Sequence, residues 1–228
     1  MIEGPPLLTV RRNFRRPSKA KLKAFAGATT AMVVDAQAGR GALDHRVKPL
    51  DPASRFVGPA ITAWCGPYDN LAALAALELA RPGDVVAIAA AGFEGTAVIG
   101  DRFAGMAGNR RLGAIVTDGL VRERAGILEA GVPCYAMGLS ANSPFANGCG
   151  EVGLVIVLGG VAVAAGDLLI GDEEGVVVVP RANIDEVLAA LEGVKANEAR
   201  LEREVREGAT GFAFVKELLN SPATRYVD

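Results

Sequence analysis

The stretch LGAIVTDGLVRE, residues 112–123, decides how this chain folds and where its chemistry lies. It begins with a short run that is apolar on every face, which is typical of a strand in a sheet covered on both sides. A Thr-Asp-Gly turn follows, and then Arg122 and Glu123. A second apolar run, residues 95–99, leads into Gly100-Asp101-Arg102-Phe103. Because neighbouring parallel strands deliver their carboxyl ends to one crevice, the two segments predict a shared site.

The residue types at these two strand ends suit a small anionic ligand and a metal ion. The carboxylates of Asp101 and Glu123 are ligands that a hard divalent cation such as Mg²⁺ or Mn²⁺ prefers, and Arg122 can grip a carboxylate with two hydrogen bonds. A helix starting at Asp101 would also turn the backbone amides of Arg102 and Phe103 toward an anion. Plainer alternatives remain open: Asp101 as a helix N-cap, and Arg122 with Glu123 as a surface ion pair.

Bulk composition limits the class of protein. The chain has 228 residues, half of them hydrophobic, which is enough for a substantial core. The formal net charge of −2 gives no general attraction to nucleic acid, so we do not expect a nucleic-acid partner. Basic residues nevertheless crowd the start, which predicts either a solvated arm or a patch for an acidic partner. They are Arg11, Arg12, Arg15, Arg16, Lys19, Lys21 and Lys23.

The lack of a recognisable targeting signal and the pattern of cysteines predict a cytoplasmic protein. Cys65, Cys134 and Cys149 are widely spaced and form neither a metal-ligand motif nor a disulfide framework. The N-terminus lacks the apolar region of a signal peptide, and Gly, Asp and Glu interrupt the longer apolar runs. We therefore expect no association with a membrane.

The scarcity of histidine and lysine excludes several kinds of catalytic site. His45 is the only histidine, which excludes a multi-histidine metal site within one chain and leaves little basis for a Ser-His-Asp triad. No lysine lies between Lys48 and Lys195, which makes a Schiff base improbable. A divalent ion chelated by a 2-oxo acid withdraws electrons from the carbonyl, and cleavage of the adjacent C–C bond leaves an enolate that Arg122 can stabilise. That route needs no lysine.

The pattern of elements predicts an α/β domain. Prolines at 5, 6 and 17 oppose regular structure in an N-terminal arm, residues 1–17, ahead of a domain over residues 18–228. Apolar strands alternate with helical segments up to about residue 137, and short strands with Gly-rich turns follow over residues 154–179. A long C-terminal helix over about residues 183–207, with Asn183 as its cap, closes the domain.

Several motifs together resemble the family of the 4-hydroxy-4-methyl-2-oxoglutarate aldolases, which also contains the regulator of ribonuclease activity A. The resemblance covers about residues 25–215. It is carried by VDA at 34–36, GPAIT at 58–62, DNL at 69–71, PGDVV at 82–86, GDRFA at 100–104, GAIVTDGLVRE at 113–123, GD at 166–167 and GDEEGVVVVP at 171–180.

The resemblance implies a swivelling β/β/α-type, RraA-like fold and a homotrimer, or a homohexamer built from two trimers, with sites between subunits. It implies a metal held by Asp101 and Glu123, and pyruvate or its enolate bound by the metal, Arg122 and the amides of Arg102 and Phe103, beside Gly100. Glu198 of a neighbouring subunit would join the metal's water shell; read from the residues alone, it is one more solvated helix carboxylate.

This chain departs from the family pattern at three places. Glu123 stands where the family usually has Asp, which moves the carboxylate by about one C–C bond length. Arg102 replaces a residue that is commonly apolar, and Met137-Gly138 replaces a common Arg-Gly pair. The distal end of the substrate is therefore expected to differ from that of the aldolase substrate.

Three functions follow as expectations. The first is a class II-type, metal-dependent lyase that acts on a small 2-oxo acid and releases pyruvate, with oxaloacetate decarboxylation as a further activity. The second is a non-catalytic regulator that binds a ribonuclease or helicase partner; a small-acid-binding protein with a decayed metal site is a third. Such sequences have also carried a demethylmenaquinone methyltransferase name, but no segment resembles a methyl-donor site, so we reject that activity.

Overall fold

Four parallel strands, β3, β4, β6 and β8, form the centre of the largest sheet in the computed structural model, which describes residues 4–227. The sheet has nine strands in the order β1-β10-β3-β4-β6-β8-β2, and the hairpin β13-β14 joins it through β3. Its strands are β1 (Leu8–Val10), β2 (Lys48–Pro49), β3 (Phe56–Trp64), β4 (Val85–Ala89), β6 (Ala114–Thr117), β8 (Cys134–Ala136), β10 (Gly150–Val152), β13 (Leu168–Asp172) and β14 (Gly175–Val179).

A second, smaller parallel sheet continues the central strands. After β4, β6 and β8 the chain bends and forms β5 (Ala97–Ile99), β7 (Leu120–Val121) and β9 (Gly138–Leu139), which pair in the order β5-β7-β9. The two loops predicted to share a site leave from the carboxyl ends of β5 and β7. A separate hairpin is formed by β11 (Ile156–Leu158) and β12 (Val161–Val163).

Helices connect the parallel strands and cover the sheet. The helices are α1 (Lys19–Ala24), α2 (Thr30–Ala36), α3 (Leu71–Leu79), α4 (Asp101–Asn109), α5 (Arg124–Glu129), α6 (Ile184–Arg206) and α7 (Ala213–Leu219). The crossovers through α3, α4 and α5 return the chain to the start of the next parallel strand, as parallel pairing requires. A 3₁₀ turn, Arg181–Asn183, precedes α6.

Apolar side chains from the central strands form the core beneath α3, α4 and α5. Ile61, Ile88 and Ile115 are at most 1% exposed, and Phe103 of α4 and Ile127 of α5 pack in the same cluster. Burial of each such side chain contributes about 1.5–3 kcal/mol. This packing fixes where α4 and α5 begin, and therefore where the two predicted loops lie.

The first part of α6 is packed, whereas its second part and α7 are largely exposed. Ile184, Val187 and Leu191 of α6 are buried in a cluster with residues of α2, β13 and β14, but α7 contains no buried residue. Apolar side chains beyond residue 204 that face solvent in the single chain are Val205, Phe212, Phe214, Val215, Leu218, Leu219, Tyr226 and Val227. This C-terminal extension therefore has no apolar partner within the described part of its own chain.

The predicted α/β domain with a C-terminal helix is confirmed. Asn183 is the N-cap residue of that helix, as predicted, but its side chain makes no capping hydrogen bond, and it also ends the preceding 3₁₀ turn. None of the helices in residues 4–227 is long and apolar enough to cross a bilayer.

The N-terminal arm lies along the domain where the structure describes it. Residues 8–10, which the prolines predicted to be irregular, form β1 and pair in parallel with β10. Arg16 then reaches Asp84 at the turn before β4, with Nε 2.7 Å from Oδ1 and Nη2 2.6 Å from Oδ2. The Asp84 side chain is only 1% exposed, so this ion pair ties the arm to the centre of the sheet. Residues 1–3 of the arm lie outside the described residues.

Replacement of Arg16 by alanine is expected to destabilise the fold by about 3 kcal/mol, because it leaves a buried carboxylate without its charged partner. Arg15 is the matched control, since it is exposed and lies beside Arg16 in sequence. Arg15→Ala is expected to change the free energy of unfolding by less than about 0.5 kcal/mol. Urea denaturation of both variants measures the difference, and equal midpoints would contradict the anchoring role of Arg16.

Candidate functional site

Helix α4 begins directly at the carboxyl end of β5. Gly100 is the N-cap residue, with an extended backbone, and Asp101 is the first helical residue. The reading of Asp101 as the N-cap is therefore wrong. Within residues 4–227 its carboxylate accepts no hydrogen bond, so it is available to a ligand.

Arg122 and Glu123 lie between the carboxyl end of β7 and α5. Glu123 adopts the left-handed backbone conformation, with φ 59°, and is the N-cap residue of α5. Its Oε1 lies 3.4 Å from Arg122 Nε, so the surface ion pair that the sequence left open is present. Its Oε2 accepts a hydrogen bond from the backbone N–H of Asp101 at 3.2 Å.

These contacts bring the predicted carboxylates and arginine together. Strands β5 and β7 are parallel neighbours, with Ala97 opposite Leu120, so their following loops meet. Two glycines allow the close approach. A Cβ atom at Gly100 would collide with Glu123 Oε2, and one at Gly126 would lie 2.6 Å from Asp101 Cβ. Neither position tolerates a larger residue unless the site moves.

The first turn of α4 offers unused hydrogen-bond donors. The first four N–H groups of a helix have no partner within the helix. The N–H of Asp101 is used by Glu123, whereas within the described chain the N–H groups of Arg102 and Phe103 bond to no protein acceptor. The Phe103 ring is buried in the core, while the Arg102 side chain is exposed. An anion at this helix end would therefore meet two amides and the Arg122 guanidinium.

A small cavity of about 150 Å³ opens beside these groups. Of the predicted site residues, Gly100, Arg102, Phe103, Arg122 and Glu123 line this cavity, and Asp101 does not. Its walls also include Asn70, Leu74 and Pro144, which the sequence reasoning missed. Ser143 was missed as well, although its hydroxyl accepts a hydrogen bond from Arg122 Nη1. The only sequence signal for this loop was its run of Asn, Ser and Pro over residues 142–144, which indicates irregular structure and not a site.

The donor set fits a hydrated divalent cation. Within residues 4–227, no cluster of three or more His, Cys, Asp or Glu side chains could hold a metal. Asp101 and Glu123 nevertheless lie on adjacent loops, where Glu123 Oε2 accepts from the Asp101 N–H, and Mg²⁺ is commonly bound by one or two carboxylates with several retained waters. The pair therefore suits Mg²⁺ or Mn²⁺ and leaves coordination positions for a substrate.

Glu198 is not brought to this site within one chain. It lies on α6 in a groove between the end of that helix and Phe212, together with Leu201, Glu202 and Val205. No other candidate site residue lines that groove. Its predicted contribution to the metal site therefore requires a second subunit.

Other aspartates in the recognised motifs are structural. Asp118 is 5% exposed and accepts hydrogen bonds from the amides of Ala90 at 2.7 Å and Gly159 at 3.3 Å. Burial raises the pKa of its carboxyl group. Asp172 likewise accepts the N–H and hydroxyl of Thr30. These buried carboxylates hold loops together and are not available to a ligand.

Two of the three cysteines are buried and are poor candidates for a reactive thiolate. Burial raises the pKa of Cys65 and of Cys134 to about 12, so both are thiols at neutral pH. Cys149 is exposed, but it lies outside the cavity that contains Arg122. The candidate site therefore depends on carboxylates, amides and a guanidinium.

Comparison with known proteins identifies the family of this chain. A family model described as RraA-like, Aldolase/RraA, matches residues 30–178. A Halalkalibacterium halodurans protein with the provisional name 4-hydroxy-4-methyl-2-oxoglutarate aldolase is 31% identical over 192 residues, covering 84% of this chain and 91% of the relative.

Two solved structures share the fold. Streptomyces coelicolor RraAS2, described as an unusual member of the RNase ES inhibitor RraA protein family, has a TM-score of 0.72 at 24% identity and covers 86% of this chain and 100% of its own. The RNA-processing inhibitor RraA from Thermus thermophilis has a TM-score of 0.62 at 27% identity, over 67% of this chain and 93% of its own. The family model matches more than half of this chain, which therefore belongs to the RraA-like family of aldolases and ribonuclease regulators.

Proposed function

We propose that this protein is a divalent-metal-dependent lyase that cleaves a C–C bond of a small 2-oxo acid and releases pyruvate. The observation that carries the proposal is the meeting of Asp101, Glu123 and Arg122 beside two free amides at the start of α4. The provisional aldolase name of the Halalkalibacterium relative supports the same reaction class.

Asp101 and Glu123 would hold Mg²⁺ or Mn²⁺, which, when bound, polarises the 2-oxo group of the substrate. Arg122 and the amides of Arg102 and Phe103 would bind the carboxylate and carbonyl oxygens of the pyruvyl half. These donors are fixed before the substrate arrives, so they stabilise negative charge without reorganising.

Cleavage of 4-hydroxy-4-methyl-2-oxoglutarate by this site is a retro-aldol reaction. The bond between C3 and C4 breaks, its electron pair forms the enolate of one pyruvate, and the C4 hydroxyl loses its proton as it becomes the carbonyl of the second. The Asp101 carboxylate, which accepts no hydrogen bond within residues 4–227, would receive that proton through a water. Arg122 would stabilise the enolate oxygen until C3 is protonated. Loss of CO₂ from oxaloacetate generates the same enolate, so we propose oxaloacetate decarboxylation as a second activity.

A neighbouring subunit would complete the site. Glu198 lies on the extension that is largely unpacked within the single chain, and the apolar side chains of α7 face solvent there. We propose a homotrimer or homohexamer in which this extension packs on another copy and Glu198 joins the metal's water shell.

The test is release of pyruvate, measured with lactate dehydrogenase, from 4-hydroxy-4-methyl-2-oxoglutarate and from oxaloacetate. Each substrate is assayed with Mg²⁺, with Mn²⁺ and with EDTA, against a metal-only blank because free metal also decarboxylates oxaloacetate. Turnover is expected with metal, is lost in EDTA and returns when metal is restored. Absence of metal-dependent turnover on any 2-oxo acid would exclude the lyase.

The second candidate function is a non-catalytic regulator of a ribonuclease or helicase. The likeness to the Thermus RNA-processing inhibitor and the exposed basic residues of the N-terminal arm favour it. A regulator would slow RNA cleavage by a purified ribonuclease without consuming any 2-oxo acid, so the two assays together separate the candidates.

A further inference from the structure

The Arg122 guanidinium lies between two acceptors of different charge. Its Nη1 donates a hydrogen bond to the Ser143 hydroxyl, while its Nε lies 3.4 Å from the Glu123 carboxylate. The Arg122 side chain is 35% exposed, so packing does not enclose it completely. A long side chain with that freedom loses entropy when it is held in one orientation. A hydrogen-bond partner for the guanidinium is therefore needed to keep the Arg122 side chain directed at the cavity.

Ser143 belongs to a strap, defined as residues 139–148, that is bonded to the start of β5 and to the carboxyl end of β7. Asn142 attaches the strap to the β5 segment: its carbonyl accepts from Ala97 N–H at 3.0 Å, and its Nδ2 donates to Gly95 O at 2.9 Å. The far end is held by Asp69, whose Oδ2 accepts from the N–H groups of Asn147 at 2.6 Å and Gly148 at 3.1 Å. The Ser143 hydroxyl is therefore fixed relative to the sheet.

We propose that Ser143 is a positioning residue for Arg122 and, on the basis of the proposed function, for the binding of the substrate carboxylate. A neutral hydroxyl orients the guanidinium without cancelling its charge. Glu123 alone would draw Arg122 into a closed ion pair, which competes with an incoming carboxylate for the same donors. Ser143 holds Nη1 on the strap side and thereby keeps the remaining donors of Arg122 directed at the cavity.

The first test measures binding of oxalate, a mimic of the pyruvate enolate, by calorimetry in the presence of Mn²⁺. Ser143→Ala is expected to raise the Kd of oxalate and the KM of the substrate about tenfold, because one hydrogen bond to a charged donor is lost. The kcat is expected to stay within about twofold, since Arg122 still reaches the reacting oxygens when substrate saturates the site. Ser143→Thr retains the hydroxyl and is expected to restore wild-type binding.

Ser140→Ala is the matched control. Its hydroxyl also lies on the strap and accepts a hydrogen bond from Asn142 N–H at 3.3 Å, but it does not contact Arg122. This variant is expected to bind oxalate like the wild type. An equal loss of binding in Ser140→Ala and Ser143→Ala would show that the strap, and not the Ser143 hydroxyl, sets the affinity, and would overturn the proposal.

A second measurement does not depend on any ligand. The ¹⁵N–¹H signal of Arg122 Nε–H, assigned by its disappearance in Arg122→Lys, is expected to move away from the position of exposed arginines in Ser143→Ala, because Glu123 then draws Nε into a closer ion pair. If the wild type neither binds oxalate nor turns over a 2-oxo acid, the proposed function fails, yet this signal still decides whether Ser143 orients Arg122. An unchanged signal in Ser143→Ala would overturn the inference.

Discussion

Replacement of Arg122 by alanine is expected to lower kcat/KM for pyruvate release about 10³-fold. Two arginines, Arg122 and Arg102, line the cavity at the start of α4, and Arg122 is the one that pairs with Glu123. Loss of a preorganised donor to a developing oxyanion costs about 10²–10³ in rate, and loss of a grip on the carboxylate weakens binding further. Steady-state kinetics with the lactate dehydrogenase assay measure the effect.

The controls for this variant separate charge from geometry. Arg122→Lys keeps the charge but not the forked donors, so it is expected to recover only part of the activity. Arg110→Ala removes an arginine that pairs with Glu78 at the opposite end of α4, and it is expected to be close to wild type. Binding of Mn²⁺ is expected to persist in Arg122→Ala. A decrease of only a few-fold in kcat/KM would contradict the assigned role of Arg122.

A chain that ends at residue 194 is expected to lose both assembly and turnover while keeping its fold. The buried positions of α6, Ile184, Val187 and Leu191, remain in this variant, and α7 contributes no buried residue to the single chain. What is removed is Glu198 and the exposed apolar side chains of the extension. Light scattering after size exclusion measures assembly, circular dichroism measures folding, and activity is expected to fall at least about 100-fold.

Glu198→Ala in the full-length chain is the companion variant. It keeps the apolar extension, so assembly is expected to be unchanged, while activity falls about 10- to 100-fold through loss of one carboxylate near the metal's waters. A truncated chain that retains both its oligomeric state and its turnover would rule out a contribution from the extension. Full activity in Glu198→Ala would rule out that residue alone.

The parts that the sequence predicted well are those that local patterning determines. The apolar runs before Gly100 and Asp118 are bounded by glycine and turn residues, so their strands and the following helices were predicted within a few residues. The meeting of Asp101 with Arg122 also followed, because parallel neighbours must place their following loops together.

The parts that were missed depend on contacts between distant segments. Strand β1 pairs with β10 across about 140 residues of sequence, and no periodicity in three residues reveals such a partner. Ser143 contacts Arg122 only because Asn142 and Asp69 fix the path of the strap. The sequence left open Asp101 as the N-cap because residue preference favours aspartate there, whereas in the structure Gly100, with its extended backbone, takes that position.

Three segments of the chain each form a strand of the main sheet and then a strand of the small sheet β5-β7-β9. The first part, in β4, β6 or β8, supplies the buried apolar surface that keeps the domain folded. The second part is only two or three residues long, and the candidate site residues around Asp101 and Arg122 lie directly after β5 and β7. Arg102, Arg122 and Glu123 at these positions are at least partly exposed, so substitutions there can accumulate with less penalty to folding than substitutions in the buried strands. Such an arrangement makes it easy for one ancestral scaffold to diverge, and a family that contains both aldolases and ribonuclease regulators is the expected product.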